Sequence, residues 1–126
     1  MARYTVSVTT EFCAAHALMF RGVREPIHGH NFRVRVLIAG PTLDADGVLC
    51  DFHEVEKALD RIITPWRNAN LQDAAAFAGV NPSAEMIARV VGESLQQSLA
   101  AVLPPQTRVA SVSVTEAPGC EATWEV

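Results

Sequence analysis

Two stretches near the start of the chain alternate between apolar and polar side chains, and this alternation limits the possible folds more than any other feature. Arg3–Phe12 and His30–Ala39 both repeat with a period of two. Side chains two residues apart share one face of a strand, so each stretch predicts a half-buried strand. The apolar rows are Tyr4, Val6, Val8, Thr10 and Phe12 in the first stretch and Phe32, Val34, Val36 and Ile38 in the second.

The middle of the chain predicts two helices. Asp51 and Glu54 have the spacing of a capping box, and they open an amphipathic helix that Pro65 ends. The apolar stripe of this helix is Phe52, Val55, Leu59 and Ile62. A polar loop follows. A second helix begins at Asn81-Pro82-Ser83, where either the asparagine or the serine can cap it, and its apolar stripe continues to Pro104-Pro105.

Two more strands are predicted at Arg108–Glu116 and at about Ala122–Val126. The first of them carries one row on the inner face: Ala110, Val112, Val114 and Glu116. The order ββααββ predicts an α+β fold, with a mainly antiparallel four-stranded sheet covered on one face by two helices. With 126 residues, we expect residues 1–126 to form a single domain. The open edges of such a sheet favour pairing with other subunits.

Charge and composition exclude several classes of protein. Ten Lys and Arg against fourteen Asp and Glu give a net charge of -4, which argues against binding to nucleic acid or to an anionic membrane. The sequence has neither a long apolar stretch nor a signal-peptide core, so we expect a cytoplasmic protein. Cys13, Cys50 and Cys120 are widely spaced, which favours small buried residues over disulfides or a cysteine zinc site.

Three of the four histidines fall where the strands of the first hairpin meet its loop. The spacing of His28 and His30 places both imidazoles on one side of an extended segment, and His16 can supply a third nitrogen across the hairpin. Three imidazoles leave one open position on a tetrahedral Zn²⁺, which is typical of catalytic zinc. The alternative to a metal site is that these histidines are half-buried residues whose nitrogens form hydrogen bonds within the protein. His53 lies in the first turn of a helix, and we expect it to be exposed.

Two glutamates are candidates for the chemistry beside these histidines. Glu116 ends an apolar row, so its charge needs a partner: either an arginine of this chain or the paired N–H donors of a pterin or guanine ring. Glu25 lies three residues before His28 and is a candidate general base; a solvated loop glutamate is the alternative. Arg21 and Arg24 beside it are candidates for binding phosphate.

Taken in order, five segments of the chain resemble the 6-pyruvoyl-tetrahydropterin synthase and 6-carboxytetrahydropterin synthase family. The resemblance covers nearly the whole chain, and the ordered combination is more specific than any one motif. The segments are Phe12-Cys13-Ala14-Ala15-His16, Glu25-Pro26-Ile27-His28-Gly29-His30-Asn31-Phe32, Gly47-Val48-Leu49-Cys50-Asp51-Phe52, Asn81-Pro82-Ser83-Ala84-Glu85 and Val114-Thr115-Glu116.

The resemblance implies a tunnelling fold, in which three subunits join their strands into a barrel and two trimers stack into a homohexamer. It also implies that His16, His28 and His30 bind Zn²⁺, that Glu116 anchors the pterin ring and that the site lies between subunits. The implied substrate is 7,8-dihydroneopterin triphosphate, a small-molecule pterin of folate or queuosine biosynthesis.

The chain departs from the family pattern at the position where the pyruvoyl- and carboxy-forming members have a cysteine. Arg24 stands there, and Glu25 follows it. The resulting Glu-x-x-His-Gly-His pattern is similar to the subgroup that releases 6-hydroxymethyl-7,8-dihydropterin for folate synthesis. In that interpretation Glu25 takes a hydroxyl proton while zinc polarises the side-chain oxygens of the substrate.

A second departure concerns the acid and base groups, because the Asp-His pair of the family aligns with Arg67-Asn68 here. Neither an arginine nor an amide relays a proton as that pair does. Three functions therefore stay open: a zinc-dependent lyase with Glu25 as base, a family member acting on another pterin or purine derivative, and a pterin- or nucleotide-binding protein without catalysis.

Overall fold

The computed structural model describes residues 3–126, so Met1 and Ala2 of the predicted domain lie outside the described residues. The element order confirms the predicted α+β class. Within residues 3–126, two α-helices and six strands follow one another as β1 (Tyr4–His16), β2 (Met19–Phe20), β3 (Val23–Arg24), β4 (His28–Gly40), α1 (Phe52–Ile63), α2 (Ala84–Leu99), β5 (Arg108–Ala117) and β6 (Cys120–Glu125).

The four long strands form the predicted antiparallel sheet, and the structure shows their order to be β1-β4-β5-β6. Both helices pack on the face that carries the apolar rows, and Phe32, Val34, Val36 and Ile38 are fully buried there. β1 and β6 are the edges of the sheet. The short strands β2 and β3 form a separate hairpin within the segment that the sequence predicts as a loop.

The pairing of β5 has two irregularities, and the first of them changes which residue faces the core. The pairing moves from Leu37–Ser111 to Ile38–Val109, so Ala110 is the extra residue of a bulge. Val109 is therefore buried in the core, where the sequence predicts Ala110. A second shift toward β6 leaves Glu116 unpaired between Thr115 and Ala117. The Glu116 side chain nevertheless lies on the predicted inner face, beside His16 and His30.

The segment between the helices is predicted to be a polar loop, and this prediction is wrong, because the segment contributes side chains to the core. Three short 3-10 turns begin at Thr64, Leu71 and Ala75, and their buried side chains are Trp66, Leu71 and Phe77. The Trp66 and Phe77 rings pack with centroids 5.0 Å apart. An apolar residue every five or six positions has neither helical nor strand periodicity, so the pattern gave no signal of burial.

Both helices are capped by residues that the sequence offers, although within residues 3–126 Glu54 does not complete a capping box with Asp51 and instead lies 3.6 Å from Lys57. The Asp51 carboxylate accepts a hydrogen bond from the His53 N–H at the start of α1. At the start of α2 the Ser83 hydroxyl accepts from the Met86 N–H, which settles the choice between Asn81 and Ser83. Phe52 is 49% exposed, although the sequence places it in the apolar stripe of α1.

Two of the three cysteines differ from their prediction. Cys50 is buried, and burial together with Asp51 raises the pKa of its thiol. Cys13 and Cys120 are exposed, because Cys13 lies on the open face of the sheet and Cys120 begins the edge strand β6. Within residues 3–126, no helix has both the length and the apolar character that a membrane span requires.

Candidate metal centre

The first hairpin brings three imidazoles together at one end of the sheet. β1 and β4 pair without a break to their ends, so His16 lies opposite His28 and Ala14 lies opposite His30. His16 is the last residue of β1 and not a loop residue beyond it, because the strand continues four residues past its predicted end at Phe12. The imidazole centroids of the three histidines are 4.7–5.1 Å apart.

In two of the three imidazoles, a hydrogen bond to a backbone carbonyl determines which ring nitrogen is left to bind a ligand. Nδ1 of His16 donates to the Pro82 carbonyl at 2.9 Å, and Nδ1 of His28 donates to the Pro26 carbonyl at 2.9 Å. A neutral imidazole with its proton on Nδ1 has its lone pair on Nε2. Carbonyl acceptors of this kind orient histidine ligands around metal ions.

The donor set fits a metal ion. One nitrogen from each of His16, His28 and His30 lies within 4.8 Å of the other two. Among residues 3–126, the Nε2 atoms of His16 and His30 are buried without a hydrogen-bond partner, an arrangement that costs free energy unless something else binds them. Three imidazoles with a short Zn–N distance of about 2.0–2.1 Å are a common zinc set, so an ion here would satisfy both nitrogens.

Electrostatics keep His30 available as a ligand. Burial lowers the pKa of His30 below its ordinary value of 6.5; Glu116 opposes this shift, and His16 and His28 add to it. The neutral ring is the form that binds a metal.

The Glu116 carboxylate points into the histidine cluster. Its Oε1 lies 3.2 Å from Nε2 of His16 and 3.8 Å from Nε2 of His30, and the side chain is about one-third exposed. Of the two partners that the sequence allows for Glu116, an arginine of this chain is not the one found within residues 3–126. Glu116 and His30 both line a cavity of about 540 Å³, together with Asn31, Arg33 and Thr115.

Glu25 also reaches the cluster. Its Oε1 accepts a hydrogen bond from the Leu18 N–H at 2.9 Å and lies 3.7 Å from Nε2 of His28. The side chain is half-buried, which differs from a freely solvated loop glutamate. Arg24 donates to the Ala17 carbonyl at 2.7 Å, and Arg21 occupies the exposed turn of the β2–β3 hairpin at φ 51°.

Arg67 and Asn68 serve the fold. The Arg67 guanidinium donates to the Glu11 carbonyl at 3.0 Å and to Asp60 at 3.1 Å. Asn68, at φ 57°, donates its backbone N–H to the Cys13 carbonyl at 2.7 Å. These contacts attach the segment after α1 to the middle of β1.

The fourth histidine is not part of the centre. His53 is highly exposed, as predicted, and lies 3.8 Å from Glu56 on the surface of α1.

A larger cavity of about 730 Å³ lies at the opposite end of the sheet, beside Gly40, Thr107 and Arg108. It contains none of the predicted site residues. Ligand sites are recognised by convergent polar groups as well as by size, and the smaller cavity at Glu116 has those groups.

Sequence reasoning missed the residues that support the histidines. The Pro26 and Pro82 carbonyls are invisible to a search for reactive side chains. The sequence offers Asn81 as a helix cap and as part of a family motif, yet its side chain bonds the backbone of Met19. The only signal was that Asn81-Pro82-Ser83 offers two capping residues where the helix needs one.

Comparison with known proteins agrees with this geometry. The family model of 6-pyruvoyl tetrahydropterin synthase matches residues 5–126. A 6-pyruvoyl tetrahydrobiopterin synthase of Poecilia reticulata is 29% identical over 84 residues, which are 65% of this chain and 57% of that protein. A protein of Archaeoglobus fulgidus, provisionally assigned as a 6-carboxy-5,6,7,8-tetrahydropterin synthase, is 25% identical over 75% of this chain and 78% of its own length.

Solved structures show the same fold. A 6-pyruvoyl tetrahydropterin synthase of Caenorhabditis elegans superposes with a TM-score of 0.83 at 21% identity, covering 100% of this chain and 97% of that one. A Plasmodium vivax 6-pyruvoyltetrahydropterin synthase, in which a catalytic glutamate is replaced by cysteine, superposes with a TM-score of 0.84 at 18% identity. The match covers 100% of this chain and 99% of that one.

Proposed function

The chain belongs to the 6-pyruvoyl tetrahydropterin synthase family, and on that premise we propose that it is a cytoplasmic, zinc-dependent lyase. Its substrate is 7,8-dihydroneopterin triphosphate or a close relative. The reaction cleaves the side chain and releases 6-hydroxymethyl-7,8-dihydropterin.

The observation that carries this proposal is the position of Glu25. A half-buried carboxylate lies 3.7 Å from a ring nitrogen of the histidine cluster, held by a backbone N–H, directly after the arginine that stands at the cysteine position. A general base must lie within reach of the reacting group. The Glu25 carboxylate meets this condition, because it faces the histidine cluster from the side of the β2–β3 hairpin. The glutamate named as catalytic in the Plasmodium vivax protein supports the same role here.

The residues divide the work as follows. His16, His28 and His30 would hold zinc, which polarises the side-chain oxygens of a bound substrate. Glu25 takes the proton from the side-chain hydroxyl farther from the ring, and the carbon that carries it becomes a carbonyl as the bond to its neighbour breaks. The carbon next to the ring then takes up a proton, which leaves a hydroxymethyl group on the pterin.

Glu116 anchors the pterin ring in this account. A carboxylate offers two coplanar acceptors that match the paired N–H donors of the ring. The cavity beside it, at about 540 Å³, lies within the range of small-molecule sites, and it also contains His30. The ring and the zinc ligands would therefore share one cavity.

Proton transfer rests on Glu25 because neither the Arg67 guanidinium, which stays charged and bonds Glu11 and Asp60, nor the Asn68 amide can act as a base. The same observation favours the second candidate function, a protein that binds a pterin or a purine nucleotide without converting it. The two candidates agree on the zinc and ring sites and differ only in turnover.

The open edges of the sheet support a homohexamer made of two trimers. β1 and β6 are the outer strands of the four-stranded sheet. Pairing β1 of one subunit with β6 of the next would close three sheets into a barrel and remove the open edges. Light scattering tests this directly: we expect six chains per particle, and a monomer would contradict it.

The test is to load the purified protein with zinc, incubate it with 7,8-dihydroneopterin triphosphate and separate the pterin products by chromatography. We expect 6-hydroxymethyl-7,8-dihydropterin. Glu25→Gln keeps an acceptor for Leu18 but removes the base, so kcat should fall by roughly 10²- to 10⁴-fold.

The matched control is Glu56→Gln, which makes the same change on the exposed surface of α1 and should leave kcat unaltered. A substrate that binds with Glu116 present and returns unchanged would exclude the lyase and support the binding protein.

A further inference from the structure

The three residues that follow His16 are held to the protein by hydrogen bonds on every backbone polar group. Ala17 donates its N–H to the Gln72 side chain at 3.1 Å and accepts from Arg24 at 2.7 Å. Leu18 donates its N–H to the Glu25 carboxylate and accepts from the Glu25 backbone N–H, both at 2.9 Å. Side chains supply most of these bonds, which is unusual for a connecting segment because loop backbone groups are ordinarily left to water.

Asn81 completes the set at Met19. Its side-chain oxygen accepts from the Met19 N–H at 2.8 Å, and its side-chain nitrogen donates to the Met19 carbonyl at 2.7 Å. The two bonds imitate the pairing of a neighbouring strand, and they join positions that are 62 residues apart. Each side-chain bond removes freedom from β2, the first strand of the short hairpin.

The residues on either side of this asparagine reach different targets. The carbonyl of Pro82 accepts from His16, and the hydroxyl of Ser83 caps α2. The start of α2 is thus fixed by hydrogen bonds next to Asn81, and from this position the Asn81 side chain holds the β2–β3 hairpin. Because the His16 bond uses a backbone carbonyl, changing the Asn81 side chain leaves it in place.

These contacts lead to Glu25. Its carboxylate is fixed by the Leu18 N–H, and Leu18 lies between Ala17, bonded by Gln72, and Met19, bonded by Asn81. A displacement of Met19 would therefore move Leu18 and carry the carboxylate away from His28.

We propose that Asn81 is a positioning residue, which holds the Glu25 carboxylate at the histidine cluster through Met19 and Leu18. This inference rests on the proposed function, because it gives Asn81 a role in the same reaction. Gln72 has a weaker form of that role, since it makes one bond and lies on the far side of Leu18.

The first test is Asn81→Leu, which removes both bonds at similar volume. A displacement of about 1 Å at a reacting group costs up to about 100-fold in rate, so we expect kcat to fall by roughly 10- to 100-fold. KM should change by less than about threefold, because neither the zinc ligands nor the ring anchor is touched. Asn81→Asp keeps the acceptor for the Met19 N–H and loses the donor, so its kcat should lie between those of Asn81→Leu and the wild type.

Gln97→Leu is the matched control, since it makes the same kind of change on the exposed surface of α2 and should leave both constants as they are. An unchanged kcat in Asn81→Leu would overturn the inference.

The second test separates positioning from a general structural role. In a Glu25→Gln background the carboxylate is gone, so Asn81→Leu should then lower kcat by less than about twofold. An equal fold-loss in both backgrounds would overturn the inference, because Asn81 would then act by another route.

The third test does not depend on turnover. Hydrogen exchange of the Leu18 and Met19 amides should be at least about tenfold faster in Asn81→Leu than in the wild type, while the zinc stoichiometry stays the same. If no pterin is converted by the wild type, the proposed function fails, but this experiment still measures whether Asn81 holds Met19 and Leu18. Unchanged exchange at both amides would overturn that part of the inference.

Discussion

The two halves of β4 share one periodicity but are stabilised in different ways. From Ile38 to Phe32 the inner row is apolar and fully buried, and it packs beneath the helices. From His30 to His28 the same row continues with imidazoles whose neighbours are other histidines and two carboxylates. The strand pairing to β1 is unbroken across the change.

The comparison shows that one backbone pairing can carry side chains with different requirements for stabilisation. In the apolar half, close packing satisfies every side chain. In the histidine half, the Nδ1 of His16 donates to the carbonyl of Pro82, 66 residues away, and the Nδ1 of His28 donates to the carbonyl of Pro26, two residues away. The buried Nε2 atoms of His16 and His30 have no hydrogen-bond partner in residues 3–126. Buried nitrogens without a partner cost free energy unless a ligand binds them, which is why we propose the metal site at this end of the sheet.

The largest expected effect on this comparison comes from the apolar half. Ile38→Ala leaves a cavity in a fully buried site and should lower the free energy of unfolding by about 2–5 kcal/mol. Zinc affinity of the folded protein should not change, because Ile38 lies far along the strand from His30. Urea unfolding and metal titration measure the two quantities, and a loss of zinc affinity would mean that the two halves are not independent.

The reverse result is expected from the histidine half. His28→Ala removes one of three ligands, so zinc affinity should fall by more than the roughly 10- to 100-fold that loss of an outer partner costs. The metal-free protein should lose less than about 1 kcal/mol of stability, because His28 is partly exposed. Competition with a fluorescent chelator gives the affinity; near wild-type binding would remove His28 from the centre.

A pair of glycine substitutions sharpens the contrast in packing. At Gly92 in α2 an added Cβ would clash with the Trp124 ring, so Gly92→Ala should cost about 1–3 kcal/mol through overpacking. At Gly29, between two of the histidines, the Ala14 carbonyl at 3.6 Å is the one atom of residues 3–126 that the Cβ would contact. Gly29→Ala should therefore unfold within about 0.5 kcal/mol of the wild type, and equal losses in thermal unfolding would contradict this.

The smallest effect is a pH dependence of the metal-free protein. The pKa of His30 is lowered in the folded state, so as pH falls through 6.5 the unfolded state takes up its proton first. The contribution of His30 to stability is therefore complete above about pH 6.5 and is lost as pH falls toward the folded pKa. Urea unfolding at several pH values should show this loss, and His30→Gln should flatten it.

His53→Gln is the control for that titration, since His53 is exposed and its replacement should leave the pH profile unchanged.

The features that could be predicted from the sequence are those with a regular pattern or a recognisable motif. Strand alternation identified the inner rows, and the ordered motifs identified His16, His28, His30, Glu25 and Glu116 as neighbours at one end of the sheet. The structure brings these five together, while their roles stay proposals.

Features that depend on single irregularities could not be predicted. Nothing local marks Ala110 and Glu116 as bulge residues, because a bulge depends on the register of two strands. The pairing of Asn81 with Met19 joins residues far apart in the chain and follows only from the tertiary fold. Trp66 and Phe77 are buried by that same fold, without a local period to announce them.

The most direct test of the central claim is the X-ray absorption spectrum of the zinc-loaded protein at the zinc edge. We predict three imidazole nitrogens at about 2.0–2.1 Å, with the signal of one ring lost in each of His16→Ala, His28→Ala and His30→Ala. Sulfur at about 2.3 Å, which would place the ion at Cys13 or Cys120, or a spectrum that the histidine variants leave unchanged, would contradict a metal centre at the end of the sheet.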